Sequence, residues 1–367
     1  MTVYRPTAVR VDLEAVEHNI RALQPADAAL MAVVKADGYG HGAVEVARAA
    51  LDAGATWLGV ALVEEGLALR DAGLRAPILV LSEFPTGSEK DALAADLTPT
   101  VYTDRGVQAV ADAAGALGRT AAVHVKVDTG MHRVGLHPPE DAAPFVDRVI
   151  RAGCDLEGLW THFARAEEDE LTTRRQLELF HRVIRDVRHH GMAPRIVHAA
   201  NSAAAILYPE AHFDLVRIGI ALYGLDPGGG LGERAGLRPA LSWRSEVSAV
   251  RTLPAGELVS YGHRYGVAGG AVATVPVGYA DGYRRGLSDS GEVLIRGRRR
   301  RVAGTITMDQ LLVDCGDGAV EIGDEVVLIG RQGDEEITAD ELAALCDTIN
   351  YEIICGIGPR VPREHVR

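Results

Sequence analysis

The stretch MAVVKADGYGHG, residues 31–42, places a lysine at the end of a predicted buried strand. Its first four residues are apolar and partly β-branched, which is typical of a short core strand. Lys35 follows, and three nearby glycines let the backbone turn sharply and approach a ligand closely. Only Lys90 and Lys126 are further lysines, against 35 arginines in the chain. Because an amine can lose its proton and attack a carbonyl whereas a guanidinium cannot, Lys35 is a candidate catalytic group; a solvated loop lysine is the alternative.

Further strand-like runs lie outward from this stretch and alternate with helical patterns up to about residue 225. Including the first, the eight runs are residues 29–35, 57–62, 76–81, 98–103, 121–127, 156–162, 195–200 and 215–220. Residues 42–54 and 174–191 are examples of the amphipathic helical stretches between them. Eight such units predict a TIM-like (β/α)8 barrel of the α/β class over residues 1–230. A doubly wound sheet is the alternative that a strand count leaves open.

The sequence changes character after the eighth run. Residues 225–237 are rich in glycine but lack the G-x-G-x-x-G spacing of a phosphate loop, so they predict a linker. Beyond it, short strands with turn signals predict a mostly-β domain over residues 238–367. An early strand over residues 7–13 precedes the barrel and is a candidate to pair with this second domain.

Bulk composition excludes several classes of function. The net charge of −13 argues against a surface for nucleic acid, and the basic run at residues 296–301 is interpreted as a solvated hairpin. The N-terminus lacks an apolar signal core, and no apolar run approaches the roughly 18 residues of a membrane span, so we expect a cytoplasmic protein without a membrane partner. The four cysteines show no C-x-x-C pairing and are expected to be reduced and buried; no metal site is expected.

Candidate site residues lie on or directly after several of the predicted barrel strands, towards their carboxyl ends. They are Lys35, Lys126, Arg133, His162, Asn201, Ser202, Arg217 and Gly219. Barrel active sites lie at the carboxyl ends of the strands, and phosphate is frequently bound after strands seven and eight, where Ser202 and Gly219 fall. A lysine that can form an imine and faces a phosphate site is what pyridoxal phosphate requires. Arg217 would disfavour protonation of a pyridine nitrogen beside it; an ion pair inside the barrel is the alternative.

Nine motifs together resemble the alanine racemase family, in the family's order and from about residue 7 to residue 363. They are VVKADGYGHG, KVDTGMHRVG, THFA, HAANSAA, VRIGIALYG, VSYG, PVGYADG, TMDQ and GIGPRVPR. The resemblance implies an N-terminal barrel, a C-terminal β domain and a head-to-tail homodimer whose active sites use residues of both subunits. It also implies that the chain racemises alanine with pyridoxal phosphate and so supplies D-alanine for peptidoglycan synthesis.

The resemblance assigns roles to residues of this chain. Lys35 would hold the cofactor and act as base on the D side, and Tyr261 of the partner subunit would act on the L side, assisted by His162 and Arg217. Two bases on opposite faces are what inversion at Cα demands. Cofactor contacts would come from Tyr39, His162, Asn201, Ser202, Arg217, Gly219, Ile220 and Tyr351. The substrate carboxylate would meet Arg133 and the partner's Met308, while Lys126 is a candidate carbamylated lysine that positions Arg133; pairing of Lys126 with Asp128 is the alternative.

Three competing interpretations stay open to different degrees. A basic amino-acid decarboxylase shares the two-domain plan, but its histidine-glycine-serine and cysteine-acid segments are not found. A broad-specificity or serine racemase differs less, because a pocket rejects one added hydroxyl poorly. A non-catalytic pyridoxal-phosphate carrier would lack the second domain. Trp160, two residues before His162, is bulkier than the family pattern, and the loop after THFA departs from it.

Overall fold

The structure is a computed structural model in which residues 4–367 are described. By contact density the chain divides into two units, which are treated separately below. Residues 15–38 and 43–238 form the first, here called the barrel unit, and residues 4–14, 39–42 and 239–367 form the second, here called the β unit.

The strands of the first 218 residues are β1 (Ala8–Asp12), β2 (Ala29–Val33), β3 (Trp57–Val60), β4 (Ile78–Val80), β5 (Leu97–Thr98), β6 (Thr100–Val101), β7 (Ala122–Lys126), β8 (Asp155–Trp160), β9 (Ile196–His198) and β10 (Leu215–Ile218). The helices up to residue 234 are α1 (Leu13–Leu23), α2 (Lys35–Tyr39), α3 (Ala43–Asp52), α4 (Val63–Asp71), α5 (Glu89–Ala94), α6 (Asp104–Ala116), α7 (Ala142–Arg151), α8 (Glu170–His189), α9 (Ser202–Leu207) and α10 (Leu231–Arg234).

The barrel unit consists of parallel strands, as the sequence predicts. One run of pairing has the order β10-β2-β3-β4-β5, and the other has the order β6-β7-β8-β9. Strands β5 and β6 are the two halves of the fourth predicted strand, separated by Pro99, which has no N–H to donate to the ladder. Asp214 N donates to Val197 O at 3.0 Å, which brings β9 beside β10. The barrel prediction is confirmed, and the doubly wound alternative is excluded.

Alternation of strand and helix explains this architecture. The barrel strands are buried nearly throughout, as in β7 and β10, and their side chains fill the interior. Helices such as α8 bury one face, which includes Phe180, Ile184 and Val187, and expose their polar residues. The glycine-rich segment predicted to be a linker contains the short helix α10, whose preceding residues Gly228 to Gly230 have positive φ.

The β unit is built on a ten-stranded sheet. Its further strands are β11 (Leu241–Glu246), β12 (Ala249–Leu253), β13 (Leu258–Val259), β14 (Tyr265–Gly266), β15 (Gly270–Val275), β16 (Glu292–Ile295), β17 (Arg298–Val302), β18 (Leu311–Gly316), β19 (Glu325–Gln332), β20 (Glu335–Ile337) and β21 (Arg363–Val366), with helices α11 (Ala339–Leu345) and α12 (Asn350–Cys355). The order is β12-β15-β18-β17-β16-β19-β11-β1-β21, with β20 on β19 and β13 paired to β14. Strand β1 pairs antiparallel with β11 and parallel with β21.

The basic run lies in the hairpin of β16 and β17. Arg296 and Gly297 form its two-residue turn, both with positive φ. Arg299 forms ion pairs with Glu292, Glu335 and Glu341, so part of its charge is neutralised within the chain.

Candidate active site

The lysine of the opening motif begins a left-handed turn. Ala36, Asp37, Gly38 and Tyr39 have φ values of 52°, 51°, 61° and 52°. This conformation costs an L-residue roughly 1–2 kcal/mol, and glycine is the exception. Strain of this kind persists only where surrounding contacts hold it, and it is concentrated at functional sites. Three of the four strained residues are not glycine, so the turn after Lys35 is more strained than its glycine content suggests.

Glu65 holds the beginning of this turn. Its Oε1 accepts a hydrogen bond from Ala36 N at 2.7 Å, and its Oε2 accepts from Ala61 N at 2.8 Å and Leu62 N at 3.1 Å. One carboxylate thus joins the end of β2 to the end of β3. Sequence reasoning did not identify Glu65; its position in the first turn of α4, directly after a strand, is the signal that could have found it.

Arg217, on β10, is the centre of a buried polar cluster. Its Nη1 donates to His198 Nδ1 at 3.0 Å, and its Nη2 donates to His162 Nδ1 at 3.1 Å and to the carbonyls of Thr161 and Ala199 at 2.9 and 3.0 Å. Burial lowers the pKa of Arg217 to about 9, which leaves the side chain protonated at neutral pH. No carboxylate within residues 4–367 forms an ion pair with it.

The direction of this network follows from its donors. A guanidinium has no acceptor, so Nδ1 of both His162 and His198 must be unprotonated. Burial, and then the charge of Arg217, hold the pKa of both imidazoles well below the usual value, in agreement with neutral rings. His198 Nε2 therefore donates to His124 Nδ1 at 2.9 Å, and His124 Nε2 approaches Glu157 Oε2 at 3.6 Å, slightly beyond hydrogen-bond range. The chain of donors runs from Arg217 through His198 and His124 towards Glu157, an acid on β8.

The indole ring of Trp160 packs against several members of this cluster. Its ring stacks on His198 with centroids 5.3 Å apart and planes at 9°. Lys126 Nζ lies 4.4 Å and Arg217 Cζ 4.7 Å from the Trp160 centroid, within cation–π range. Burial, and then the charges of Arg217 and Arg133, lower the pKa of Lys126 to about 7. A substantial fraction of Lys126 is therefore a neutral amine at neutral pH.

Ser202 joins the ends of β9 and β10. Its Oγ accepts from Gly219 N at 2.9 Å and from Ala221 N at 3.4 Å. Asn201 precedes it as the N-cap of α9 and accepts from Ala204 N at 3.0 Å. A hydroxyl and adjacent backbone N–H groups at two chain turns are suitable donors for a phosphate.

The β unit contains the other predicted site residues. Tyr39 and Tyr351 are packed with ring centroids 6.1 Å apart. Tyr261 lies in the turn between β13 and β14 with 74% of its surface exposed, and Met308 is 53% exposed. Gly40 must be glycine, because a Cβ there would lie 2.6 Å from the Ile354 carbonyl oxygen.

Within the barrel unit, the cluster gathers Lys126, His162 and Arg217 around Trp160, and Lys35 and Arg133 lie close enough to lower the pKa of Lys126 and His162. Ser202, Asn201 and Gly219 form a second group at the ends of β9 and β10. Asp128 is hydrogen bonded to the backbone of its own loop through Oδ1. Sequence reasoning missed His124, His198 and Glu157, although an alternating His-x-Lys pattern on β7 could have indicated polar groups inside the barrel.

Comparison with known families covers nearly the whole chain. Residues 11–227 match the model of the alanine racemase N-terminal domain, and residues 240–365 match that of the alanine racemase C-terminal domain. An alanine racemase of Symbiobacterium thermophilum is 52% identical over 364 residues, which cover 98% of this chain and 97% of the relative.

Solved structures give the same result for the fold. The alanine racemase from D-cycloserine-producing Streptomyces lavendulae matches with a TM-score of 0.94 and 42% identity, over 100% of this chain and 98% of that one. A histidine racemase from Leuconostoc mesenteroides subsp. sake matches with a TM-score of 0.90 and 30% identity, over 100% of this chain and 99% of that one. No helix within residues 4–367 is both long and apolar enough to cross a membrane.

Proposed function

The chain belongs to the alanine racemase family, and on this premise we propose that it interconverts L-alanine and D-alanine with pyridoxal 5′-phosphate, supplying D-alanine for peptidoglycan. The observation that carries the proposal is the buried cationic Arg217, held by neutral acceptors beside a cluster that includes Lys35. A guanidinium without a carboxylate partner disfavours protonation of a pyridine nitrogen placed against it. The cofactor, when bound, withdraws electrons from the substrate Cα and makes its proton removable.

The two bases have different origins in this proposal. Lys35 would hold the cofactor and would move the Cα proton on the D face. The phenol oxygen of Tyr261, from a second copy of the chain, moves the proton on the opposite face. The 74% exposure of Tyr261 supports this assignment, because a base must be accessible from outside its own unit to serve a partner.

Binding of the cofactor and substrate is assigned to the remaining predicted residues. The phosphate would be held by Ser202 Oγ, by backbone groups of Gly219 and Ile220, and by the hydroxyls of Tyr39 and Tyr351. His162 and Asn201 would be further contacts to the cofactor. The chemistry of the Ser202 hydroxyl and its neighbouring amides fits a phosphate dianion. Arg133 and the partner's Met308 amide would receive the substrate carboxylate.

Carbamylation of Lys126 is part of the proposal. The reaction joins a neutral amine to carbon dioxide, and the pKa of about 7 makes that form of Lys126 available at neutral pH. The resulting anion would be surrounded by Arg217, Arg133 and Lys35, whose charges disfavour an ammonium and favour a carboxylate. Intact-protein mass spectrometry under carbon dioxide should show an added mass that is absent in Lys126→Met.

The first experiment is incubation of the purified protein with pyridoxal phosphate and L-alanine in deuterated water. We expect D-alanine carrying deuterium at Cα, and no product with Lys35→Ala. Absence of inversion with bound cofactor would contradict the proposal for alanine and direct attention to the amino-acid panel below.

The homodimer can be tested by complementation. Mixing Lys35→Ala and Tyr261→Phe subunits at equal amounts, with exchange of subunits, should restore about a quarter of the wild-type rate. Half of the dimers would be mixed, and one of their two sites would carry both native bases. Mixing without recovery, although subunits exchange, would contradict a composite site.

A broader racemase is the second candidate. It is supported by the similarity to a histidine racemase, because one fold then accommodates different amino acids. A panel of alanine, serine and histidine in deuterated water separates the candidates: a kcat/KM for serine within about tenfold of alanine would indicate broad specificity. A non-catalytic carrier would exchange none of them. Cytoplasmic location remains a prediction.

A further inference from the structure

The loop after β7 is closed at its base and carries Arg133 near its tip. Asp128 N donates to Leu136 O at 3.0 Å, and Leu136 N donates to Lys126 O at 2.8 Å. Gly135 permits this closure, because a Cβ there would lie 2.9 Å from Asp128 N. The base of the loop is therefore fixed, while the side chains at its tip are exposed.

Three potential metal ligands meet on this loop. One ligand atom from each of Asp128, His132 and His137 lies within 4.8 Å of the other two. His132 Nδ1 is 3.5 Å from Asp128 Oδ2, and the two imidazole rings are edge to face with centroids 5.6 Å apart. In a tetrahedral site with zinc-type bond lengths, ligand atoms are separated by about 3.4 Å. One pair is already at this separation, and both imidazoles are exposed and have room to rotate.

The carboxylate of Asp128 is oriented so that one of its oxygens is available to a metal ion. Its Oδ1 accepts three backbone N–H groups, from Gly130, Met131 and His132, at 2.9–3.1 Å. These three donors fix the orientation of the carboxylate group. Oδ2 is not used by the loop amides and faces His132. Two imidazole nitrogens and one oriented carboxylate oxygen form a donor set typical of zinc and related ions.

We propose that Asp128, His132 and His137 form a binding site for one divalent transition-metal ion of the zinc class, with solvent in the remaining coordination positions. The sequence predicts no metal site, because its cysteines lack the spacing of metal-binding motifs. The ligands proposed here are instead two histidines and an aspartate at separate positions of one loop. Within residues 4–367, this is the one group of histidine, cysteine and acidic side chains that brings three ligand atoms so close.

A consequence for catalysis rests on the proposed function. His132 precedes Arg133, which the proposal assigns to the substrate carboxylate. An ion that joins His132 to His137 would restrict the backbone on both sides of Arg133. We therefore expect bound zinc to raise the KM for alanine while a variant lacking the site is unaffected.

The chain supplies a matched control. His189 and His190 are also adjacent rings, 5.9 Å apart, and His190 Nδ1 lies 3.6 Å from Asp186 Oδ1. This trio has the same residue types but does not bring three ligand atoms together. His190→Ala therefore removes an exposed histidine of similar surroundings without touching the proposed site.

Isothermal titration of the chelator-treated holoenzyme with zinc chloride tests the site. Wild type should bind one ion per chain at this site, and both His132→Gly and His137→Ala should weaken that binding by about tenfold or more. Glycine suits the positive φ of 53° at position 132, so that variant is expected to fold. His190→Ala should bind as wild type does. Equal zinc binding by all four proteins, as cysteine thiols could give, would overturn the proposal.

Kinetics separates the site from its consequence. A zinc-dependent rise in the KM for alanine that is lost in His137→Ala supports both the metal site and its effect on Arg133. Binding that depends on His132 and His137 but leaves KM unchanged keeps the metal site and overturns the link to Arg133. Because titration requires no turnover, failure of the proposed racemase activity would leave the binding result readable.

Discussion

The buried cluster around Arg217 and the exposed turn around Tyr261 differ in how many hydrogen-bond partners the chain itself provides for the central side chain. Arg217 donates to two imidazoles and two carbonyls of its own barrel unit and is 4% exposed. Tyr261 is 74% exposed, and the described contact at this residue is its backbone carbonyl, which accepts from Thr305 Oγ1 at 2.9 Å. One region is complete within a unit, whereas the other is positioned by its backbone and leaves its side chain to solvent.

Substitutions in the two regions should therefore have different effects on stability and on activity. Substitution in the Arg217 cluster leaves buried partners without hydrogen bonds, so it should reduce both stability and activity. Substitution of an exposed side chain such as Tyr261 should reduce activity alone. Tyr261→Phe and Arg217→Lys test this contrast through both quantities, and Lys126 and Glu65 then test the buried region through stability.

Tyr261→Phe should lower kcat for L-alanine by about 10³-fold, the range of a lost general base, with unfolding free energy unchanged within about 0.5 kcal/mol. Chiral chromatography and urea unfolding provide the two measurements. Tyr4→Phe, at a 92% exposed tyrosine, is the control and should change neither. A large loss of stability in Tyr261→Phe would show that this side chain, like that of Arg217, contributes to the folded state, and would contradict the difference proposed between the two regions.

Arg217→Lys should lose both stability and activity. The ammonium keeps the charge but cannot reproduce the fork that reaches His198 and His162 together, so at least one buried acceptor is left unpaired. We expect a loss of about 1–3 kcal/mol in unfolding free energy and about 10²-fold in kcat. Unchanged stability would show that the cluster is more adaptable than its geometry indicates.

The barrel was predictable because its signal is repeated and local: eight apolar runs alternate with amphipathic helices, and their order fixes the topology. The positions of Lys35 after β2 and of Ser202 after β9 were predictable from the same local pattern, whereas their roles in a site stay predictions. The relay from His198 through His124 to Glu157 was not, because it joins side chains of β8, β7 and β9 whose inward orientation depends on strand register. The glycines predicted a sharp turn after Lys35, but its left-handed conformation at Ala36 was missed because alanine does not favour positive φ by itself.

Lys126 gives a pH-dependent test of the buried region. Its pKa falls from an unfolded value near 10.5 to about 7, so the unfolded chain binds more protons between these values and stability should rise with pH across that window. The slope is at most about 1.4 kcal/mol per pH unit for one proton. Between pH 7 and 9, below the pKa of Arg217, Lys126→Met should remove this rise, and Lys90→Met, at an exposed lysine, should retain it. The measurement is made in buffer free of carbon dioxide, so that Lys126 titrates as an amine, and a flat wild-type profile under that condition would contradict the lowered pKa.

Glu65→Gln is the smallest change and tests the support of the strained turn. Glutamine can accept through one oxygen only, whereas Glu65 accepts from Ala36 through one oxygen and from Ala61 and Leu62 through the other. One side would therefore lose its hydrogen bonds, and about 1–2 kcal/mol of stability should be lost. Because the released amide at Ala36 lies next to Lys35, hydrogen exchange should increase first at residues 35–38. Exchange that increases instead at the end of β3 would show that the turn keeps its conformation without Glu65, and the strain after Lys35 would then have to be held by the barrel itself.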